Sequence, residues 1–172
     1  VGIESMDELR RRLRENLEQE AARAEEQRQR QEISDYLLKK ADFPLPQSVV
    51  AQETQRVLRQ MLGEIGQRPG ASEFVEKNRE TLLSNASQAA TTRVRLSTML
   101  GAIAAAEKIE ATEAEINAEL AAAASYYASR GEKDMTPAKL RERMEESGGL
   151  QQVAHEIRDG KVMKWLLDDA KA

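Results

Sequence analysis

Two long helical patterns meet at Asp42-Phe43-Pro44-Leu45-Pro46-Gln47-Ser48-Val49-Val50-Ala51-Gln52-Glu53. Pro44 and Pro46 cannot continue a helix, because proline lacks the N–H donor, and each biases the residue before it toward an extended backbone. Pro46 is expected to be an early residue of the following helix, where its missing N–H costs nothing. The stretch therefore predicts a rigid elbow between two amphipathic helices.

Before the elbow, apolar residues recur at helical spacing over residues 1–41. Ser5 and Glu8 form a capping-box pattern, which predicts a helix from Ser5 to about Ala41, roughly 55 Å long at 1.5 Å per residue. The middle of this segment, residues 25–32, is polar on all sides, so we expect it to run through solvent. The stripe consists of Met6, Leu9, Leu13, Leu17, Ala21 and Ala24 and resumes at Ile33, Tyr36 and Leu37.

After the elbow, residues 46–108 predict a helical hairpin, the first arm. One helix ends at the Gly/Pro loop 66–70, Ser72 is a candidate cap for a short segment, and a long helix ends near Lys108. The first stripe contains Val50, Val57, Leu58, Met61, Leu62 and Ile65, and the second contains Leu82, Leu83, Ala86, Val94, Leu96, Met99, Leu100 and Ile103.

Residues 112–172 predict a second arm and a C-terminal helix that docks on the body. Thr112 with Glu115 is a capping box, and Thr136-Pro137 begins a shorter helix that stops at Gly148-Gly149. In the last segment Gly160 is expected to be a weak point, and Trp165 is expected to pack the C-terminus against the body.

The composition indicates an all-α protein whose core is thin. Charged residues make up 33% of the chain and aromatic residues 3%, so few large side chains are available for a deep core. The net charge of −4 gives no long-range attraction to nucleic acid or to an anionic membrane. The chain has no cysteine, which excludes disulfides and fits a reducing compartment. No apolar run approaches the roughly 18 residues that span a bilayer, and no secretory leader is visible.

The sequence contains no convergent set of catalytic or metal-binding residues. His155 is the only histidine, and metal or acid–base sites need several converging groups. The tandem carboxylates, such as Glu25-Glu26, point to different sides of a helix, and the glycines match no phosphate-binding spacing. We therefore predict that this chain is not an enzyme and binds no cofactor and no metal.

The elbow pattern Asp-Phe-x-Leu-Pro-x-Ser-x-Val-x-x-Glu of residues 42–53 resembles the C-terminal chaperone domain of bacterial trigger factor. The resemblance covers nearly the whole chain in the correct order. It includes Gly2 to Arg10, the run Leu96 to Ala104 followed by Ile109 to Ile116, and the terminal Val162-Met163-Lys164-Trp165-Leu166-Leu167.

This resemblance implies one all-α domain over residues 1–172, with two helical-hairpin arms on a helical body, a fold related to survival-protein-type chaperones. It implies ATP-independent holding of unfolded or nascent polypeptides in the cytoplasm. The family's Gly-Phe-Arg-x-Gly-Lys-type ribosome loop and its strand-rich isomerase domain do not occur in this sequence. Ribosome binding and prolyl isomerisation are therefore not carried over.

The apolar stripes of the two arms supply the expected client-contacting surface. A homodimer is also compatible with the sequence. Two alternatives stay open: a periplasmic survival-protein-like chaperone, and a helical-hairpin or coiled-coil adaptor with one fixed protein partner. The predicted contact residues are Val50, Val57, Met61, Leu96, Met99, Ile103, Ile116, Leu120 and Tyr127.

Overall fold

A computed structural model describes residues 6–67, 69–132 and 134–170. Every regular element in these residues is an α-helix, so the predicted all-α class is confirmed. We call α2–α4 the first arm and α5–α7 the second arm. The helices are α1 (Met6–Lys40), α2 (Gln47–Ile65), α3 (Ala71–Lys77), α4 (Arg79–Glu107), α5 (Glu113–Ser129), α6 (Pro137–Ser147) and α7 (Gly149–Asp169).

The elbow between α1 and α2 is present, but α2 begins one residue later than expected. Pro46 has φ −62° and ψ 122°, an extended conformation outside the helix. Its carbonyl oxygen nevertheless accepts hydrogen bonds from the N–H groups of Val49 (3.1 Å) and Val50 (3.2 Å). Pro46 is therefore the N-cap of α2 rather than its first residue.

Two of the predicted caps in the second arm are confirmed. The Thr112 hydroxyl accepts from the Glu115 N–H, while the Glu115 carboxylate accepts from the Thr112 N–H at 2.7 Å. Thr136 caps α6, whose first residue is Pro137. Gly148, with φ +72°, ends α6 in the left-handed conformation that glycine adopts without steric cost, and α7 begins immediately after it.

Other local expectations are wrong or fall outside the described residues. Ser72 does not cap α3: the helix starts at Ala71, after Gly70 with φ +77°. Helix α7 passes through Gly160 without a break, because packing on both sides of this position outweighs the intrinsic cost of one glycine. The predicted Ser5 cap lies outside the described residues.

Three small cores hold the helices together. The first lies among α1, α4 and α7, the second among α5, α6 and α7, and the third between α2 and α4. Trp165 remains exposed, so it is not the anchor of the C-terminus; Met163 and Leu167, on the opposite side of α7, are buried instead. The buried residues are Leu37, Leu100, Ala104, Val162 and Met163 in the first core, Ile116, Leu120, Ala124 and Leu140 in the second, and Val57, Ala86 and Ala90 in the third.

The helix contacts join the two arms through α4 and α7. Helix α2 packs against α3 and α4, whereas α5 and α6 pack against each other and α7. The arms meet where α4 packs against α7, and α1 packs against both of these helices. Within the described residues, neither α2 nor α3 packs against α5, α6 or α7.

Candidate binding surfaces

Two neighbouring segments of the first arm and its elbow are free of charged residues. Residues 43–52, at the elbow and the start of α2, contain none, and residues 81–92 of α4 contain none. Since a third of the whole chain is charged, this is a pronounced local depletion. Because the two segments lie side by side, the first arm presents a neutral surface that is not costly to desolvate.

An apolar groove of about 440 Å³ lies between these two segments. Leu83, which lines the groove, exposes much of its side chain, and so does Val49, the sequence neighbour of the lining residue Val50. The groove has the dimensions of a site for a few side chains, and no charge has to be buried to fill it. Its lining residues are Leu45, Gln47, Val50, Ala51, Thr54, Leu83 and Ser87.

The predicted contact residues are distributed over this groove and the three cores. Val50 lines the groove, and Met61 packs at the edge of the α2–α4 core. Leu96, Met99 and Ile103 are half-buried against the α1–α4–α7 core.

Tyr127 is half-buried against the core of the second arm. Val57, Ile116 and Leu120 are only 2–6% exposed and hold helices together. The nine residues therefore do not form one continuous site in this conformation.

Sequence reasoning missed Leu45 and Leu83 as groove residues. Leu83 follows Leu82 in the same stripe, and helical spacing alone does not say which of two adjacent leucines faces inward. The absence of charge from residues 81–92 was the available signal, because a solvated helix face in this chain is otherwise rich in Arg and Glu.

A second groove, of about 600 Å³, separates the middle of α1 from the end of α7 and is strongly polar. Acidic and basic side chains from both helices line it, so water rather than an apolar segment suits it. It lies beside the joint and leaves this part of α1 solvated, as its polar sequence predicts. The lining residues are Ala22, Glu25, Glu26, Gln29, Arg30, Lys164, Leu167 and Asp168.

One ion pair connects the first arm to α7. The Arg56 guanidinium donates to Glu53 on its own helix at 2.8 Å and to Glu156 on α7 at 3.1 Å. Arg93 also approaches Glu53, at 3.5 Å. The paired carboxylates raise the pKa of Arg56, with Glu53 the larger contributor, so the guanidinium stays charged.

The described part of the chain contains no group of three or more His, Cys, Asp or Glu side chains suited to hold a metal ion. His155 is exposed on α7 and belongs to neither groove. None of the described helices is both long and apolar enough to cross a membrane.

Fold and surfaces together define an all-α protein of helical arms with an exposed apolar groove. Residues 5–168 match the family model described as "Bacterial trigger factor protein (TF) C-terminus". The chain belongs to this family.

Curated relatives named "Trigger factor" are similar to the chain. The protein from Koribacter versatilis is 30% identical over 96% of this chain and 37% of its own length, and that from Lysinibacillus sphaericus is 30% identical over 98% and 38%. The protein from Opitutus terrae is 43% identical over 52% of this chain and 20% of its own length. The chain thus spans less than two-fifths of the length of these relatives. No solved structure gives a significant match.

Proposed function

We propose that this chain is the polypeptide-holding part of an ATP-independent chaperone. It holds unfolded or nascent polypeptides against the apolar surfaces of its two arms. Family membership supports a chaperone role in general, because the matching relatives are named trigger factor. The proposal extends this role to a specific mode of capture that needs no nucleotide, cofactor or metal.

The observation that supports the proposal is the uncharged groove on the first arm, whose helices α2 and α3 do not pack against α5, α6 or α7 within the described residues. Within the described residues, the first arm meets the second through the α4–α7 joint and the Arg56–Glu156 ion pair. We propose that an extended client chain binds between the arms. The groove lined by Val50 and Leu83 offers that chain an apolar wall.

Each contact of a client with such a surface is weak, and the binding is not specific for the client's sequence. Each methylene group of a client that is buried contributes about 0.8 kcal/mol, so one or two side chains in the groove bind only transiently. Several contacts spread over both arms together hold a chain long enough to prevent aggregation. Charged residues elsewhere on the arms keep the holder and its client in solution.

The proposal assigns client contact to the predicted residues that retain accessible surface. These are Val50, Met61, Leu96, Met99, Ile103 and Tyr127, to which Leu45 and Leu83 are added from the groove. Val57, Ile116 and Leu120 support the surface by fixing the spacing of the helices.

The expected location is the cytoplasm, where nascent chains are available. Ribosome binding and prolyl isomerisation would reside in the part of the longer relatives that this chain does not match. The chain itself is expected to contact neither nucleic acid nor membrane.

An aggregation assay tests the proposal. Three unrelated proteins are chemically denatured, and each is diluted separately into a solution of the chain. Light scattering then follows the aggregation of each protein. Val50→Ser with Leu83→Ser should abolish most of the suppression. Leu13→Ser with Leu17→Ser removes two exposed leucines from α1 and is the matched control, which should suppress aggregation like the parent chain. If the chain suppressed the aggregation of none of the three proteins, the proposal would be overturned and an adaptor with one fixed partner would be favoured.

A further inference from the structure

Helix α7 contributes side chains to two cores. Its core residues up to Ile157 pack with α5 and α6 in the second core, and those from Val162 onward pack with α1 and α4 in the first core. The change from one core to the other takes place within about one helical turn, residues 158–161. A bend in this turn would therefore change the angle between the second arm and the helices α1 and α4. The core residues of α7 are Leu150, Ala154 and Ile157 in the second core and Val162, Met163 and Leu166 in the first.

Within the described residues, the chain passes between these two cores at one other place, the connector from α4 to α5. Ile109 packs against the first core and Ala111 against the second. Between them, the carbonyl oxygen of Glu110 accepts a hydrogen bond from the Lys161 ammonium at 2.8 Å. The two crossing points are therefore bonded to each other. Two packed bodies joined by two adjacent crossing points have the geometry of a hinge.

Gly160 lies in the crossing turn of α7, and packing does not require a glycine there. A Cβ atom added at Gly160 would have no neighbour within 4 Å, so alanine would fit and would be the better helix former. Gly101 of α4 is different, because the guanidinium of Arg158 would lie 3.3 Å from an added Cβ. Helix α7 is continuous through Gly160, but glycine lowers the stability of the helix at this turn.

Two polar contacts hold the turn in the conformation described. Asp159 accepts a hydrogen bond from the Ser97 hydroxyl of α4 at 2.7 Å. Lys161 forms an ion pair with Glu115 of α5 at 2.9 Å. Side chains two residues apart point to different sides of a helix, so this turn contacts both arms. The Lys161 and Glu115 side chains are 37% and 39% exposed, and an ion pair this exposed is weak enough to break and re-form.

We propose that α7 bends reversibly at Gly160, and that α5, α6 and the first half of α7 turn together relative to α1 and α4. The axis of this motion passes through Gly160 and the connector at Glu110. Each core moves as a whole, so the separation of the arms changes without loss of apolar packing. The Arg56–Glu156 ion pair crosses the same boundary and is also exposed, so it restricts the motion without preventing it.

Spin labels on the two sides of the hinge test the proposal. The parent chain contains no cysteine, so labels can be attached at cysteines introduced in place of the exposed residues Thr92 of α4 and Glu142 of α6. Gly160→Ala should narrow the distribution of distances between the labels. It should also slow amide exchange in residues 157–164 about five-fold, the factor expected from the higher helix propensity of alanine. The matched control is Gly63→Ala in α2, where an added Cβ also has no neighbour within 4 Å, and it should change neither measurement.

A second variant tests the bond between the crossing points. Lys161→Met removes the hydrogen bond to Glu110 and should widen the distribution of distances, whereas Lys164→Met on the same helix should leave it unchanged. Circular dichroism verifies that each variant keeps its helicity. Equal distributions in the parent chain and Gly160→Ala would overturn the proposal, and so would equal narrowing in Gly63→Ala or a distribution in Lys161→Met no wider than that of the parent. The labels are measured without a client, so these results are independent of the aggregation assay.

Discussion

The two arms bury their helices in different ways. The core of the first arm consists of Val57 against Ala86 and Ala90, so two of its three buried side chains are single methyl groups. The core of the second arm contains Leu120 and three further buried residues, and half-buried Tyr127 and two methionines surround it. The first arm therefore depends on close approach of two helices, and the second depends on the volume of its apolar side chains.

The arms also differ in the polar contacts at the start of their first helices, α5 and α2. In the second arm, Arg141 donates to Asn117 at 2.8 Å and to Glu113 at 2.9 Å, and the capping box fixes the start of α5. In the first arm, Pro46 precedes α2 and provides no side-chain cap. We conclude that the second arm buries larger side chains, and that the first arm leaves apolar surface exposed because its core contains few large side chains.

The largest expected effect is loss of volume in the second arm. Leu120→Ala removes a large side chain that is almost fully buried and should lower the free energy of unfolding by about 3 kcal/mol, because a cavity remains. Hydrogen exchange at the amides of α5 and α6 measures this loss of unfolding free energy. Leu83→Ala, which removes an exposed leucine of the first arm, is the control and should cost much less. Equal costs at both positions would contradict the difference between the arms.

The second expected effect is overpacking of the first arm. Ala86→Leu places a large side chain where α2 and α4 touch and the parent side chain has no exposed surface. It should destabilise the α2–α4 contact by about 2 kcal/mol. Hydrogen exchange should accelerate in α2 and leave α5 and α6 unchanged.

Matched against this variant, Ala105→Leu on the exposed side of the same helix should leave exchange in α2 at the parent rate. If Ala86→Leu is tolerated without faster exchange, the first arm does not depend on close helix approach.

The third effect concerns pH and the cap of the second arm. The pKa of Glu115 is lowered from 4.5 to about 2, first by the Thr112 N–H and then by Lys161, whose ammonium lies 2.9 Å away. Because the folded-state pKa is depressed, the stabilisation is complete above pH 4.5 and is lost as pH falls toward 2.

NMR titration of the carboxyl carbons checks the cause. Lys161→Met should raise the pKa of Glu115 part of the way back toward 4.5, because the backbone N–H of Thr112 remains as a donor. Lys164→Met on the same helix is the control and should leave this pKa unchanged. If the pKa of Glu115 did not change in Lys161→Met, the hydrogen bonds with Thr112 alone would account for its lowered value.

Helix class and most helix ends were predictable because they depend on local chemistry. Thr112 with Glu115, Thr136 with Pro137, and Gly148 act through their own backbone and their immediate neighbours. Pro46 illustrates the limit of this reasoning: proline suits both the N-cap and the first turn, and the choice depends on the ψ angle that the elbow imposes.

Burial was less predictable because it depends on which helices meet. Periodicity placed Val57 and Leu96 on apolar stripes alike, yet Val57 is in a core and Leu96 is partly accessible. Trp165 was expected to pack the C-terminus against the body, but the apolar side of α7 that faces α4 carries Val162 and Met163. Only the tertiary arrangement separates a stripe that is buried from one that remains open.

The smallest expected effect tests how freely the arms move against each other. Arg56 and Glu156 are both exposed, so Arg56→Gln should change the free energy of unfolding by less than about 0.5 kcal/mol. The pair nevertheless joins two helices that do not otherwise pack together, so its loss should widen the distribution of distances between spin labels at Gln52 and Gln151. Raising the salt concentration of the parent chain should widen it in the same way, because screening weakens exposed ion pairs. Arg59→Gln, on the same helix, should leave the distribution unchanged. An unchanged distribution in Arg56→Gln would mean that the α4–α7 joint alone sets the angle between the arms.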